Sequence, residues 1–436
     1  VLWFSGLPVW GHDTEVQKAG YIMSDAYQRD AAAWELAQSN RPLTRAFTGY
    51  RAADQYGGML FLSAGIYRYL GGQTHMPLMM VVLTASISAL AVPFTWAFAR
   101  RLFDEEVGKW AAWGIALYPE AVLLGSSQMR EALMMPLVAM AFYGLARYRG
   151  ERTLVGLGFV LAALMLTLPL SPPMAMIILV LLGIVGLGMD DWRIIRNWRL
   201  WAVLGGMALV AVLGIGLGWD RIARMVSADR FDTPWEMVAY WVEITARWQA
   251  RMTRAGSGIL QYIFRRTPEW VHLPFLLGYG VVRPLLPAEL FYSTTPMWWA
   301  IGVWRSLGWT MLLVLLVYAP LRAFQGKTLK VSETFRVSQN PMSRNLLIGL
   351  SIAVWLSILI ATFWGGGDQW DNPRYRVAFS CLQIVLGVWA ALAYRRAPDP
   401  WFRRAVAGVV IVLAWLGLGV LTWGVYVVWD VWRGRR

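Results

Sequence analysis

The chain has 436 residues, with 40 Lys and Arg against 26 Asp and Glu, a formal net charge of +14. Apolar residues make up 58% and charged residues only 15%, against about 45–50% and about 25% in a soluble domain, which excludes both disorder and simple solubility. A single cysteine, Cys381, forbids an intrachain disulfide or a cysteine-based zinc site, and His12, His75 and His272 show no ligand spacing, so any metal chemistry has to rest on carboxylates.

The chain opens on the apolar fragment Val1-Leu2-Trp3-Phe4, which reads as the end of a span that precedes it. Residues 11–75 are polar and read as a helical loop outside the membrane, closed by an amphipathic stretch at 59–70. Apolar segments then follow at 76–99, 110–124, 132–146, 153–169, 174–189 and 201–219, and after a polar-aromatic region at 298–320, 346–364, 375–394 and 406–428. Their lengths approach the ~20 residues that cross a bilayer, and the 27 tryptophans suit many membrane–water boundaries. The expected fold is an all-α integral membrane bundle of about 10–11 spans with long extracytoplasmic loops. It forms one domain over 1–436, with an N-terminal membrane module at 76–219, a long loop at 220–297 and C-terminal spans at 298–436.

Basic residues set the orientation. Arg100, Arg101 and Lys109, then Arg147, Arg149 and Arg152, then Arg193, Arg196 and Arg199 fall in alternate loops. Arg322, Lys327, Lys330, Arg336 and Arg344, and finally Arg395, Arg396, Arg403 and Arg404, continue the series. These five loops are assigned to the cytoplasm, which turns 11–75, 125–131, 170–173, 220–297 and 365–374 outward. The tail Arg433-Gly434-Arg435-Arg436 lands outside, against the rule. Because the arginines sit mostly between apolar spans, the positive charge points to membrane lipids rather than nucleic acid. Within 220–297, the segment 274–291 is apolar but interrupted by Pro284 and Pro287, and reads as re-entrant or interfacial.

Three outward passages hold groups able to do chemistry. The first runs Tyr21-Ile-Met-Ser24-Asp25-Ala26-Tyr27-Gln28-Arg29-Asp30 into an Ala-rich helix with Trp34 and Leu36. On spacing alone Asp25 with Gln28 reads as a capping box, and Asp30 and Glu35 as a solvated face. The second passage carries Arg130-Glu131 at a span mouth, where an ionisable group is costly and points to function unless Arg130 simply neutralises it. Glu120, after Pro119, is explained by a proline-ended helix. The third runs Gly365-Gly-Gly-Asp368-Gln-Trp-Asp371-Asn-Pro-Arg374-Tyr375-Arg376. Its two arginines match phosphate oxygens as forks or snorkel toward lipid headgroups, and spacing leaves both open.

Together these passages resemble the GT-C superfamily of polyprenyl-phosphate-dependent glycosyltransferases, especially bacterial members akin to protein mannosyltransferases and aminoarabinose transferases. The resemblance rests on Ser24-Asp25-Ala26-Tyr27 in the first outward loop and on Ala99-Arg-Arg-Leu-Phe103 leading through Leu117-Tyr-Pro-Glu120 to Met129-Arg-Glu131. Asn372-Pro-Arg374-Tyr375-Arg376, opening a late helix, adds to it. Protein mannosyltransferases carry an Asp-Glu pair where this chain has Asp25-Ala26, which argues against protein O-mannosylation. The resemblance implies an inverting transfer of a sugar from a polyprenyl phosphate to a glycan, lipid or protein acceptor at the outer face of the plasma membrane. In that scheme Asp25 is the general base, and Glu131 orients the acceptor, supports Asp25 or shares with it a divalent cation, Mg or Mn. Arg374 and Arg376, with Tyr375, Arg130 and Arg265 or Arg266, form the phosphate-binding set. Two rivals stand beside it: a transporter or flippase of lipid-linked sugars, which would place charges midway along its spans, and a silent scaffold of the same architecture.

Overall fold

The computed structural model describes residues 6–10, 14–50, 52–151, 153–189, 236, 266–291, 294–324, 344–365 and 371–433, and these contain helices, turns and coil but no strand. Two short helical turns, α1 (Leu7–Trp10) and α2 (Glu15–Lys18), lead into α3 (Ser24–Gln38), a 3-10 turn at Leu43–Phe47 and α4 (Gly58–Leu70). Helices α3 and α4 pack face to face through Ala33, Leu36, Leu60, Ala64 and Tyr67, all fully buried. Arg68 of α4 donates to the carbonyls of Leu36, Ala37, Ser39 and Arg41, supplying donors to acceptors that the end of α3 leaves open.

The membrane helices begin with α5 (Pro77–Ala89) and α6 (Ala91–Leu102), which together form one apolar run of 26 residues. Next come α7 (Glu105–Leu117), α8 (Pro119–Gly125), α9 (Arg130–Glu151), α10 (Leu154–Thr167) and α11 (Pro172–Met189). Asp104 accepts a hydrogen bond from the Val107 backbone at 2.8 Å and caps α7. The apolar segment 110–124 is divided at Tyr118, which is extended (φ −64°, ψ 121°), as the proline-ended helix reading expects. The cause is Pro119, whose ring disfavours the helical conformation in the residue before it.

The second half contains α12 (Glu269–Val282), α13 (Leu286–Leu290), α14 (Pro296–Phe324), α15 (Arg344–Gly365), α16 (Asp371–Val377), α17 (Ser380–Arg396) and α18 (Pro400–Arg433). The apolar segment 274–291 is therefore two helices separated at 283–285. The expected span 375–394 is likewise split between α16 and α17 at 378–379. The expected span 201–219 lies outside the described residues. Among those described, five helical runs are long and apolar enough to cross a membrane: Pro77–Leu102, Pro172–Met189, Pro296–Phe324, Arg344–Gly365 and Pro400–Gly419. At ~1.5 Å per residue the 29-residue α14 is about 44 Å long, more than the ~30 Å hydrocarbon core needs. Leu154–Thr167 and Trp270–Val282 are apolar but shorter. Among the described residues all regular structure is helical, and the apolar runs are those of a membrane protein.

Helix α9 is the hub of the first half, touching α5, α6, α8, α10 and α11. It lies so close to α10 that a Cβ on Gly156 would stand 2.4 Å from the Tyr148 backbone nitrogen, and one on Gly144 2.7 Å from the Gly156 carbonyl. Small residues allow this approach, as is usual between helices in lipid. Helix α14 gathers α13, α15, α17 and α18, while α7 on α17, α11 on α15 and α16 on both α8 and α9 join the halves.

Loops assigned by charge to one side also meet in space. Arg101 pairs with Glu151, Arg396 with Asp104 and Glu106, and Arg322 with Asp399, all at one end of the bundle. At the other end, Gly58 abuts Pro169 and Leu170 so tightly that a Cβ would stand 2.2 Å from the Pro169 carbonyl oxygen. The first loop, the α8–α9 turn and α16 converge there too.

Candidate functional site

Asp25 lies in the first turn of α3, but it does not cap the helix. The N-cap is Met23, which makes no side-chain capping bond, so the capping-box expectation is corrected. The Asp25 carboxylate instead accepts a hydrogen bond from Arg374 Nη2 at 2.6 Å. The same guanidinium donates through Nε to Glu131 Oε1 at 2.9 Å. Three residues separated by 106 and 243 positions thus meet at one cation (131 − 25; 374 − 131). Glu131, at the start of α9, and Arg374, on α16, are buried, while the Asp25 side chain keeps 36% exposure. The cluster is therefore a partly open acid facing a closed Arg–Glu pair.

Further cations flank this centre. Arg29, one turn beyond Asp25 on α3, is 3.7 Å from Asp25 and 3.8 Å from Asp54, and donates to the Gln128 carbonyl at 3.3 Å. Asp54 in turn accepts from the Leu60 backbone at 3.0 Å, which ties the site to the N-terminus of α4. Arg130 stacks on Tyr56 with 5.3 Å to the ring centre and donates to the Leu170 carbonyl at 3.5 Å. Burial on its own pushes the Asp25 carboxyl up, but Arg374 and Arg29 outweigh it and hold the group below the usual carboxylate value.

Of the remaining expected site residues, Tyr375 stays beside the centre, its ring 5.7 Å from the Arg374 guanidinium, while Arg376 does not. Arg376 turns away from the carboxylates. It is 1% exposed, stands 3.2 Å over the Trp309 ring and donates to the Arg283 carbonyl at 3.0 Å. Two residues along a helix are about 200° apart, so adjacent arginines of one motif serve different neighbourhoods. Tyr375 packs edge-on against Trp364, with ring centres 6.0 Å apart. Arg266 is exposed ahead of α12, and Arg265 lies outside the described residues.

The geometry also tests whether Asp25 and Glu131 fit a shared cation. Arg374 bridges them through bonds to both, so a guanidinium stands in the bridging role a metal ion would take. Among the described residues no three His, Cys, Asp or Glu side chains form a group that would hold a metal. The arrangement does not fit a divalent ion bound between these two carboxylates.

Two features went unread in the sequence. Asp30, expected on a solvated face, is 1% exposed. It accepts from the hydroxyls of Tyr21 and Tyr67, and His75 Nε2 is 2.8 Å from it. The His75 ring stacks on Trp34 with centres 5.1 Å apart. Burial first, and the Asp30 carboxylate second, push both tyrosine hydroxyls well above their ordinary values. This clasp joins α3, α4 and the loop before α5. The second feature is Glu120, fully buried and bonded to Arg305 of α14 at 2.8 Å. It corrects one reading: Glu120 is more than a proline-ended helix terminus. Glu289 and Arg283 are buried nearby. Arg305, well inside an apolar 29-residue run whose other arginine, Arg322, sits in the last turn, was the available signal, because such a residue needs a partner at depth.

No protein-family model and no curated protein sequence matches the chain.

Proposed function

We propose that the protein is a membrane glycosyltransferase of the GT-C type, moving a sugar from a polyprenyl phosphate to a hydroxyl acceptor on the extracytoplasmic face of the plasma membrane. The observation that supports this reading is the convergence of Asp25, Glu131 and Arg374, from three loops that the basic-residue pattern assigns outward, on a partly exposed carboxylate. In the reaction, Asp25 accepts the acceptor's hydroxyl proton as its oxygen bonds to the anomeric carbon. The bond from that carbon to the phosphate oxygen breaks, and the prenyl phosphate leaves with the electron pair. Arg374 neutralises the developing phosphate charge, and attack opposite the leaving group inverts the centre. Glu131 holds Arg374 at its Nε. Arg376, buried on Trp309, supports α16 rather than touching substrate.

The test is sugar release from a panel of polyprenyl-phosphate sugars by purified protein in detergent, with Asp25→Asn in parallel. Wild type is expected to release sugar, and the variant to lose at least 100-fold, roughly the contribution of a general base, with its helical content by circular dichroism unchanged. Equal release by both moves the base away from Asp25. Binding of the donor without release from any member favours the scaffold.

A second reading, transport of a lipid-linked sugar, draws on the buried Glu120–Arg305 pair and on the breaks at Tyr118–Pro119 and 378–379. Charges and interrupted helices of this kind line transporter pathways. Movement of the intact donor across proteoliposomes, without cleavage, would select it.

A further inference from the structure

The transferase reading gives Arg374 two duties, and both call on the side-on fork of its guanidinium. Its Nε and Nη2, the two nitrogens of the side-on fork, are divided between Glu131 and Asp25. A phosphate gripped by that same fork takes both N–H groups. The two carboxylates and an incoming phosphate therefore compete for one guanidinium. Asp25 without Arg374 keeps only Arg29 at 3.7 Å as an ion-pair partner among the described residues, so loss of Arg374 changes its character as a base.

We propose that Arg374 is a donor-operated latch: without donor it clamps Asp25 to Glu131, and the donor's phosphate draws it off, freeing Asp25 to take the acceptor's proton. This rests on the transferase reading and adds an order to it, in which donor binds before the acceptor is activated. With Arg374 engaged, Asp25 is held in its ionised, weakly basic form. Release from the guanidinium raises its affinity for a proton at the moment the anomeric carbon is in place. Glu131 is the positioning residue of the latch, holding Arg374 when the donor is absent.

Competition predicts a sign that simple proximity does not. The probe is farnesyl monophosphate, with farnesol as control, and the readout is its dissociation constant for purified protein. Asp25→Asn and Glu131→Gln each remove a competitor for Arg374 and are expected to tighten binding about tenfold, the value of one charge-assisted bond. A double-mutant cycle separates this from electrostatic repulsion. In an Arg374→Gln background, Asp25→Asn is expected to change affinity less than about twofold, because no guanidinium is left to compete for. If Arg374→Gln does not fold, Arg374→Met replaces it, since it keeps the apolar stem and offers neither a charge nor a donor to compete for. Equal tightening in both backgrounds means plain repulsion and overturns the latch, and so does no tightening in the wild-type background. Both results leave the phosphate site standing. Failure of wild type to bind farnesyl monophosphate more tightly than farnesol removes the donor reading itself.

Discussion

Asp25 gains its ion pairs only on folding, so its protonation is coupled to stability. Its folded value is depressed, which means that the stabilisation is fully present above the ordinary aspartate value near about 4 and is lost as pH falls through the folded value. Thermal unfolding in detergent between about pH 6 and pH 3 is expected to show wild type losing melting temperature in the acid range. Asp25→Asn, with nothing to titrate there, is expected to show a shallower decline. A parallel decline in both proteins would mean that Arg374 does not act on Asp25. At this scale, Asp25, Glu131 and Arg374 stood out as candidates, Asp25 only through the family resemblance, since its spacing alone reads as a helix cap. Their mutual pairing was not, because nothing in a one-dimensional pattern says that positions 25, 131 and 374 touch. Asp30 was misread for a related reason. Its partners Tyr67 and His75 lie 37 and 45 positions away, and an aspartate without visible partners defaults to solvent.

Among the elements, α3 bears most on the site, since it carries Asp25 and Arg29 at one end and is fixed at the other by Arg68. Arg68→Met keeps the apolar stem but strips the donors from four carbonyls. It is expected to destabilise the protein by about 1–3 kcal/mol, read as a lower melting temperature. It is also expected to increase protease cleavage between α3 and α4. Unchanged cleavage would show that packing alone holds α3. The existence of α3, α4 and the long apolar helices was readable from composition and periodicity. The interruptions were less so. Pro119 announced one, because its effect on Tyr118 is local and steric. The division between α16 and α17 has no comparable marker at positions 378–379, occupied by Ala378 and Phe379.

Across the whole molecule, the sorting of basic loops by side was the most far-reaching inference available. The ion pairs Arg101–Glu151, Arg396–Asp104 and Arg322–Asp399 join loops that charge alone had grouped together. Charge counting works at the membrane boundary, where each loop answers to the same rule. It is silent on the interior, where Glu120 and Arg305 find each other across 185 positions. Removing one partner there leaves an uncompensated buried charge. Glu120→Leu is expected to cost about 3–5 kcal/mol, and Glu120→Leu with Arg305→Met to recover most of the loss. A double variant as unstable as the single one would show that Arg305 is needed for Glu289 as well.

The route by which the Asp25 centre is completed has a consequence for biosynthesis. Its acids belong to the first third of the polypeptide, and the cation that bridges them is translated only at position 374. A nascent chain halted anywhere between contains Asp25 and Glu131 but no Arg374 to join them. Assembly of the centre is thus a late event in synthesis, because the residue that joins its two acids is made after both of them.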